Sequence, residues 1–252
     1  MNDPLTGVWS WPAVDSGEAE LRRAAHPALL PPARTPRGRR TPLRTWMAAL
    51  LLDHALLRTF FNTRVRISPG VYRSSHPLPY QLRSAQRAGI RSVLNLRGVE
   101  AHVAANRLEW DYCRRAGLRV VHFPLGSRQA PYRDEVLALI ALFERLERPL
   151  LLHCKSGADR AGFASTVFLL TQTGTPLEAA LRQLSFWRHG HIRQARTGVF
   201  DRFFDTYRAH RDAHGSTFAG WVRDVYDREQ LIAMFRANYW ADHVVDRILH
   251  RE

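Results

Sequence analysis

Residues 151–162, LLHCKSGADRAG, decide how the rest of this sequence is interpreted. The apolar run that leads into them, RPLLLHC (148–154), is typical of a buried strand, and the residues from Arg160 onward predict a helix. Gly157 favours a tight turn between the two. A strand, a short loop and a helix N-terminus together gather unpaired backbone N–H groups around one point. The stretch therefore predicts an anion-binding loop.

Two side chains equip that loop for a reaction with a phosphate group. A thiol at its base, Cys154, lies where the positive potential of the loop stabilises the thiolate, which is the reactive form. Arg160 offers a planar fork that can hold two oxygens of a phosphate group. We therefore predict Cys154 as a nucleophile, with His153 as a supporting residue. The predicted phosphate-binding residues are Lys155, Ser156, Gly157, Ala158, Asp159 and Arg160.

The surrounding sequence alternates short apolar runs with helical patterns, which predicts an α/β fold. We expect a central, mostly parallel, twisted sheet of about four to five strands flanked by helices, with a helical C-terminal extension. The predicted strands are residues 70–75, 91–96, 118–125 and 148–154. The predicted helices include residues 78–89, 100–117, 132–147, 161–174, 176–187 and 198–210.

The spacing C-x5-R between a strand and a helix, with His153, Gly157 and Gly162 around it, resembles the signature of the cysteine-dependent protein tyrosine and dual-specificity phosphatases. Three further stretches resemble the bacterial, atypical dual-specificity-like branch, so that the resemblance covers roughly residues 65–210. The family implies hydrolysis of phosphate monoesters through a phosphocysteine on Cys154, with no metal and no cofactor. The three stretches are VYRSSHP (71–77), SVLNLRG (92–98) and GHIRQARTGVFDRFF (190–204).

Two positions depart from the family pattern. A Ser or Thr usually follows the signature arginine and assists the cysteine as it leaves, but here the residue is Ala161. The usual general acid is an Asp in the loop before the signature strand, and FPLGSRQAPYRDE (123–135) contains none before Asp134. Asp159 is the other candidate, because the myotubularin and Sac lipid phosphatases resemble this arrangement. We favour Asp159 by a small margin, and a reaction that needs no acid is the third alternative.

The substrate stays open at this point. A phosphoprotein is the family default. Lys155 is the only lysine among 37 Lys and Arg residues, and a cation beside the nucleophile suits a multiply phosphorylated substrate. A phospholipid, inositol phosphate or phosphosugar is therefore the close rival. Two other functions stay open. The first is RNA 5′-end phosphatase activity, and the second is phosphate binding by a catalytically dead module.

Composition limits the partners and the compartment. The net charge of +14 comes from arginines that are scattered along the chain, which makes a dedicated nucleic-acid site the less favoured interpretation. The two cysteines have no zinc spacing and no disulfide framework, as expected in a reducing compartment. The first 20 residues lack the pattern of a secretory signal, so we predict a cytoplasmic protein. The oligomeric state is not predicted.

Four segments are predicted along the chain. Residues 1–44 form a basic arm, since residues 22–44 hold seven Arg, five Pro and no acidic residue. Residues 45–64 contain TWMAALLLDHALLRTFF, an amphipathic helix that packs on the domain or, as the second alternative, lies on an anionic membrane. Residues 65–214 are the phosphatase domain, and residues 215–252 are the helical extension.

Overall fold

The sheet is the framework of the molecule. The computed structural model describes residues 64–98, 104–126, 129–185 and 198–235. Within these ranges, five short strands form one sheet in the order β1-β2-β5-β3-β4. The strands β1 and β2 are antiparallel, and all other neighbours are parallel, which confirms the predicted fold class. The strands are β1 (Val65–Ser68), β2 (Val71–Ser74), β3 (Ser92–Asn95), β4 (Arg119–His122) and β5 (Leu150–His153).

Strand β1 was not predicted from the sequence. Its four residues, VRIS, alternate between apolar and polar, as expected for an edge strand with one exposed face, but four residues are too few for the pattern to stand out. The first strand predicted from the sequence instead begins at residue 70. The other four strands lie within the ranges predicted for them.

Helices cover both faces of the sheet. On one face, Leu82 of α1 and Cys113 of α2 pack against Val93 of β3. On the other face, α3 and α4 pack against Leu94 and Leu152. This double coverage explains why the parallel strands are continuous apolar runs. The helices are α1 (Pro79–Arg87), α2 (Ala104–Ala116), α3 (Arg133–Arg145), α4 (Asp159–Gln172), α5 (Leu177–Ala180), α6 (Val199–His214) and α7 (Phe218–Asp224).

The single helix predicted over residues 176–187 is wrong. The chain forms the short helix α5 and then a 3₁₀ helix, Leu181–Leu184. A close approach to α4 accompanies this change, because a Cβ atom on Gly162 would lie only 2.7 Å from the carbonyl oxygen of Gln183. Gly162 thus lets the backbone of the 3₁₀ helix pack directly against the first turns of α4.

Residues 218–235 pack into the same core as the sheet. The ring of Phe203 on α6 lies 5.4 Å from that of Phe163 on α4 and 5.1 Å from that of Trp221 on α7. Trp221 is fully buried, and Tyr226 closes the same aromatic cluster. Burial of several large aromatic side chains makes α7 part of the hydrophobic core.

Several predicted segments fall outside the described residues. These are the basic arm (1–44), all but one residue of the amphipathic segment (45–64), and the end of the C-terminal extension after residue 235. Among the helices that the structure does describe, none is both long enough and apolar enough to cross a membrane.

Candidate active site

One row of polar residues crosses the sheet at the carboxyl ends of its parallel strands. Ser74 of β2 and Asn95 of β3 both pair with His153 of β5, and Asn95 also pairs with His122 of β4. Paired residues of neighbouring strands project to the same face of a sheet. These four side chains therefore share the face covered by α2. The carboxyl edge of a parallel sheet is also where ligands usually bind, so the row marks the functional end of the molecule.

The loop between β5 and α4 begins at Cys154, whose side chain is buried. The backbone N–H of Gly157 donates a hydrogen bond to the Cys154 Sγ over 3.2 Å. Gly157 has a φ of +82°, a conformation that favours glycine, and a Cβ there would lie 2.7 Å from the backbone nitrogen of Ser75. Glycine is therefore required at this position for both its conformation and the space around it.

The predicted phosphate-binding residues form one continuous loop that runs into the first turn of α4. Lys155 and Ser156 are exposed, whereas Asp159 and Arg160 are partly buried. The carbonyl oxygen of Lys155 accepts a hydrogen bond from the backbone N–H of His76, 3.2 Å away. A guanidinium nitrogen of Arg160 lies 3.5 Å from the carbonyl oxygen of Leu96, at the end of β3. Cys154 and Arg160 thus flank a loop whose open side carries Lys155 and Ser156.

A second arginine, which the sequence analysis did not identify as a site residue, lies beneath the loop. Arg73 of β2 is only 2% exposed. It donates hydrogen bonds to the carbonyl oxygens of Gly157 and Ala158. It also donates to Gln183 of the 3₁₀ helix, through the carbonyl oxygen at 2.7 Å and the side-chain oxygen at 2.9 Å. A buried cation that makes four hydrogen bonds therefore supports the loop from inside the protein.

A buried carboxylate occupies the opposite face of the sheet. Glu109 of α2 accepts hydrogen bonds from His153 Nε2 at 2.6 Å and from Asn95 Nδ2 at 2.5 Å. The His76 Nε2 lies 3.9 Å from the same carboxylate, and the rings of His76 and His153 meet edge to face. Burial alone raises the pKa of Glu109, but the electrostatic influence of the neighbouring His153 and His76 and the hydrogen bond from His153 lower it to about 2. Glu109 is thus ionised and fixes the orientation of the histidine that precedes Cys154.

The partly buried His122 lies at the edge of this polar group. Its Nε2 accepts a hydrogen bond from the indole N–H of Trp110. Burial lowers the pKa of His122 to about 4, although the charge of Glu109 acts in the opposite direction. His122 is therefore neutral near pH 7, as an acceptor from an indole N–H must be.

The two candidate acids occupy similar local positions on different helices. Asp134 lies in the first turn of α3, and Asp159 lies in the first turn of α4. Both are partly buried, and an acid in a first turn also favours the helix dipole. The choice of Asp159 over Asp134 stays a prediction. Ala161 is fully buried and has no hydroxyl group, so the Gly157 N–H is the donor that the described structure provides to the Cys154 sulfur.

The residues missed from the sequence did leave a weak signal. Arg73 interrupts an apolar strand in VYRS, and Glu109 is a buried acid in an otherwise ordinary amphipathic helix. A charged residue at a buried position is informative because it is costly unless it is paired. Burial could not be assigned to either residue before the strands and helices were placed.

A family of known proteins matches this part of the chain. Residues 68–174 match the family described as a polymorphic toxin system, DSP-PTPase phosphatase. The match includes the whole loop, the sheet from the last residue of β1 onward, and the helices α1 to α4.

Curated relatives match over a similar region. The inositol diphosphatase DSP4 of Arabidopsis thaliana is 31% identical over 101 residues, which are 38% of this chain and 49% of that protein. The dual specificity protein phosphatase TpbA of Pseudomonas aeruginosa is 28% identical over 121 residues, 47% of this chain and 51% of that protein. The chain thus spans about half the length of the curated relatives that it matches. The crystal structure of P. aeruginosa TpbA aligns with a TM-score of 0.47 and 20% identity, over 62% of this chain and 92% of that one.

Proposed function

We propose that this chain, whose residues 68–174 belong to the dual-specificity branch of the cysteine-dependent phosphatases, hydrolyses phosphate monoesters with Cys154 as nucleophile. The observation that carries the proposal is the loop itself. A buried thiol accepts a backbone N–H bond at the base of a loop whose far end is the first turn of a helix carrying Arg160. A bound phosphate there is stabilised by backbone N–H groups, by the helix dipole and by a guanidinium group.

The reaction has two steps. The Cys154 thiolate attacks phosphorus, so that an S–P bond forms while the P–O bond to the leaving group breaks, and the leaving oxygen takes a proton. Water then attacks the phosphocysteine, the S–P bond breaks, and inorganic phosphate and the thiolate are released. Arg160 holds the equatorial oxygens in both steps. With Ala161 in place of a hydroxyl residue, we expect the second step to be slow.

Asp159 is the proposed proton donor. It lies next to Arg160 in the first turn of α4. We expect Asp159→Asn to lower kcat on an alkyl phosphate about 100-fold while aryl phosphate hydrolysis changes much less, because an aryl leaving group barely needs an acid. Asp134→Asn is the matched comparison. The reverse pattern would assign the acid to Asp134, and no effect from either variant would favour a reaction without an acid.

The first experiment tests the nucleophile. Wild type, Cys154→Ser and Cys113→Ala are assayed on a small aryl phosphate, in the presence of EDTA and a reducing agent. Cys113 is a buried core residue whose thiol pKa is raised by burial, so its replacement controls for the loss of a cysteine as such. We expect turnover in wild type and Cys113→Ala, and at least a ~1000-fold loss in Cys154→Ser. Equal turnover in all three proteins would overturn the proposal. Vanadate binding without turnover would favour a phosphate-binding module.

A phosphotyrosine or other phosphoprotein is the primary substrate proposal, in line with the name of the TpbA relative. An inositol diphosphate or related polyphosphate is the second candidate, and two observations favour it. Lys155 is exposed on the open side of the loop, and one relative is named an inositol diphosphatase. An exposed ammonium group beside the nucleophile attracts a second phosphate group of the same substrate.

Lys155→Ala separates these substrates. We expect kcat/KM to fall about tenfold on an inositol polyphosphate and about twofold on a phosphotyrosine peptide. Arg91→Ala removes an exposed cation at the opposite end of the sheet, where Arg91 pairs with Glu147, and serves as the matched control. Equal losses on both substrates would contradict the inositol candidate. Salt-sensitive hydrolysis of RNA 5′ ends or activity stimulated by anionic vesicles would instead favour the nucleic-acid or lipid alternatives.

A further inference from the structure

Arg73 is a buried cation in an unusual place. It lies in the middle of the apolar strands, one residue before the polar row, and pairs in register with Leu152 of β5. Because neighbouring residues of a strand project to opposite faces, Arg73 lies on the face opposite to Ser74 and Glu109. Burial of an arginine is costly and needs a compensating set of acceptors. The position of Arg73 therefore calls for a functional explanation.

The acceptors of Arg73 belong to two segments around the site. Two are the consecutive carbonyl oxygens of Gly157 and Ala158 in the loop, the second at 3.0 Å. The other two are the carbonyl and side-chain oxygens of Gln183. One guanidinium group therefore ties the loop to the 3₁₀ helix, and the small Gly162 allows that helix to come close.

These bonds fix the direction of the loop's donors. In a planar trans peptide the C=O and the following N–H point in opposite directions. Arg73 holds the carbonyl oxygens of Gly157 and Ala158 on the inner side, so the N–H groups of Ala158 and Asp159 must point to the outer side. The Ala158 N–H accordingly faces the Oγ of the exposed Ser156 at 3.3 Å. The same two peptides whose oxygens face Arg73 thus direct their N–H groups toward the open side of the loop.

Arg73 is also linked to the nucleophile by geometry. Both side chains are buried, and Gly157 accepts from Arg73 through its carbonyl oxygen while its N–H donates to the Cys154 Sγ. Burial lowers the pKa of Arg73 to about 10, while the negative charges of Cys154 and Asp159 act in the opposite direction. The group is therefore a cation at neutral pH, and it interacts with the thiolate through the protein interior rather than through water. Charges interact more strongly there because the effective dielectric constant is low.

We propose that Arg73 is a positioning residue that holds the Gly157–Asp159 peptides in their anion-binding orientation and, by its buried charge, stabilises the Cys154 thiolate. The proposal rests on the proposed function, since it concerns the same loop. Other charged or titratable groups lie in and around the loop as well. Lys155, Asp159 and Arg160 lie in the loop and α4, and His153 lies on β5. Behind His153 lie His76, after β2, and Glu109 on α2.

The test uses Arg73→Met, which removes the charge and the bonds, and Arg73→Lys, which keeps the charge but loses the planar fork. The thiolate of Cys154 is titrated by its ultraviolet absorbance, as the difference between each variant and the same variant carrying Cys154→Ser. Vanadate affinity and the pH dependence of kcat/KM on an aryl phosphate are measured in parallel. Phe143→Leu changes a buried ring at the far end of the core and controls for a general loss of stability.

We expect Arg73→Met to move the thiolate midpoint up by about one pH unit and to lower kcat/KM about 100-fold. In Arg73→Lys we expect the midpoint to stay near that of wild type while vanadate affinity falls about tenfold. Phe143→Leu should change the melting temperature alone. A folded Arg73→Met protein with an unchanged midpoint and unchanged vanadate affinity would overturn the proposal. If Arg73→Met does not fold, wild-type vanadate affinity in Arg73→Lys overturns it instead.

The readouts also separate this inference from the proposed function. If wild type hydrolyses no phosphate ester, the proposed function fails, yet the thiolate titration and vanadate binding still test Arg73. If wild type is active and Arg73→Met retains its midpoint and affinity, the inference alone fails.

Discussion

The two ends of the parallel sheet are built from different residues. At the amino end, Val71 and Leu150 pair within the apolar core, Phe143 meets Phe168 edge to face nearby, and Ser92 is a buried polar residue without a charge. At the carboxyl end, the polar row of Ser74, His153, Asn95 and the partly buried His122 crosses the sheet, with Arg73 buried beneath the loop and Glu109 buried on the other face.

This difference separates stability from function. Apolar burial stabilises the fold by about 25 cal/mol for each Å² removed from water, whereas each buried charge costs several kcal/mol before it is paired. A protein selected only for stability would not need Arg73 and Glu109. They lie at the end of the sheet where the loop is, one on each face, and each contacts the loop or the residue before Cys154. The residues at the amino end therefore stabilise the fold. The buried charges at the carboxyl end lower the stability of the fold but orient the loop.

Among the variants that compare the two ends of the sheet, the largest effect is expected for Gly157→Ala at the carboxyl end. The new Cβ would lie 2.7 Å from the Ser75 nitrogen in a left-handed conformation, so the loop must move. We expect a loss of at least ~100-fold in kcat/KM on an aryl phosphate. Gly117→Ala is the matched control, because Gly117 also has a positive φ but has open space around it. It should cost about 1 kcal/mol of stability and leave the activity intact. Equal activity in the two variants would contradict the assignment of the loop as the active site.

A smaller effect is expected for Glu109→Gln. The neutral amide cannot accept from both Asn95 and His153 without turning its own N–H₂ group toward one of these donors. We expect a loss of about 3 kcal/mol in the free energy of unfolding, measured in urea, and a roughly tenfold loss in kcat/KM through the misplaced His153.

Phe143→Leu at the amino end is the comparison for Glu109→Gln. It should cost about 1–2 kcal/mol and leave kcat/KM unchanged, because no polar contact to the site is lost. If Glu109→Gln instead lowered the free energy of unfolding and left kcat/KM unchanged, Glu109 would act only in stability. The two ends of the sheet would then differ in composition but not in function.

The smallest effect concerns pH. Burial lowers the pKa of His122 from 6.5 to about 4, and the neighbouring histidines lower the pKa of Glu109 from 4.5 to about 2 despite its burial. In both cases the unfolded state binds protons at a higher pH than the folded state does, so stability falls as pH falls. The loss from His122 extends from pH 6.5 to 4, and the loss from Glu109 from pH 4.5 to 2.

The contribution of His122 can be measured separately. We expect the free energy of unfolding to fall by about 2 kcal/mol between pH 6.5 and 4, and this slope to be flatter in His122→Asn, whose amide oxygen can still accept from Trp110. An unchanged slope would show that His122 does not titrate within the buried group.

Much of this arrangement could be predicted from local patterns. Four of the five strands and the loop were located because apolar runs, Gly157 and the Cys154–Arg160 spacing are visible over a few residues. The edge strand β1 was missed because four residues are too few for its alternating pattern to stand out, and the break after α5 was missed because it depends on packing against a segment earlier in the chain. Ala180 and Leu181 continue a helical pattern, but the 3₁₀ geometry follows from packing against Gly162.

The sequence by itself determined the chemistry of the loop, since a thiol, a glycine and an arginine at fixed spacing are properties of one short segment. Only the tertiary structure decided which charges support that segment. Arg73 lies 84 residues from Gly157 in the chain, and Glu109 lies 44 residues from His153. Such partners come together only when parallel strands align their carboxyl ends, because the register of a sheet, and not the distance along the chain, sets which side chains meet.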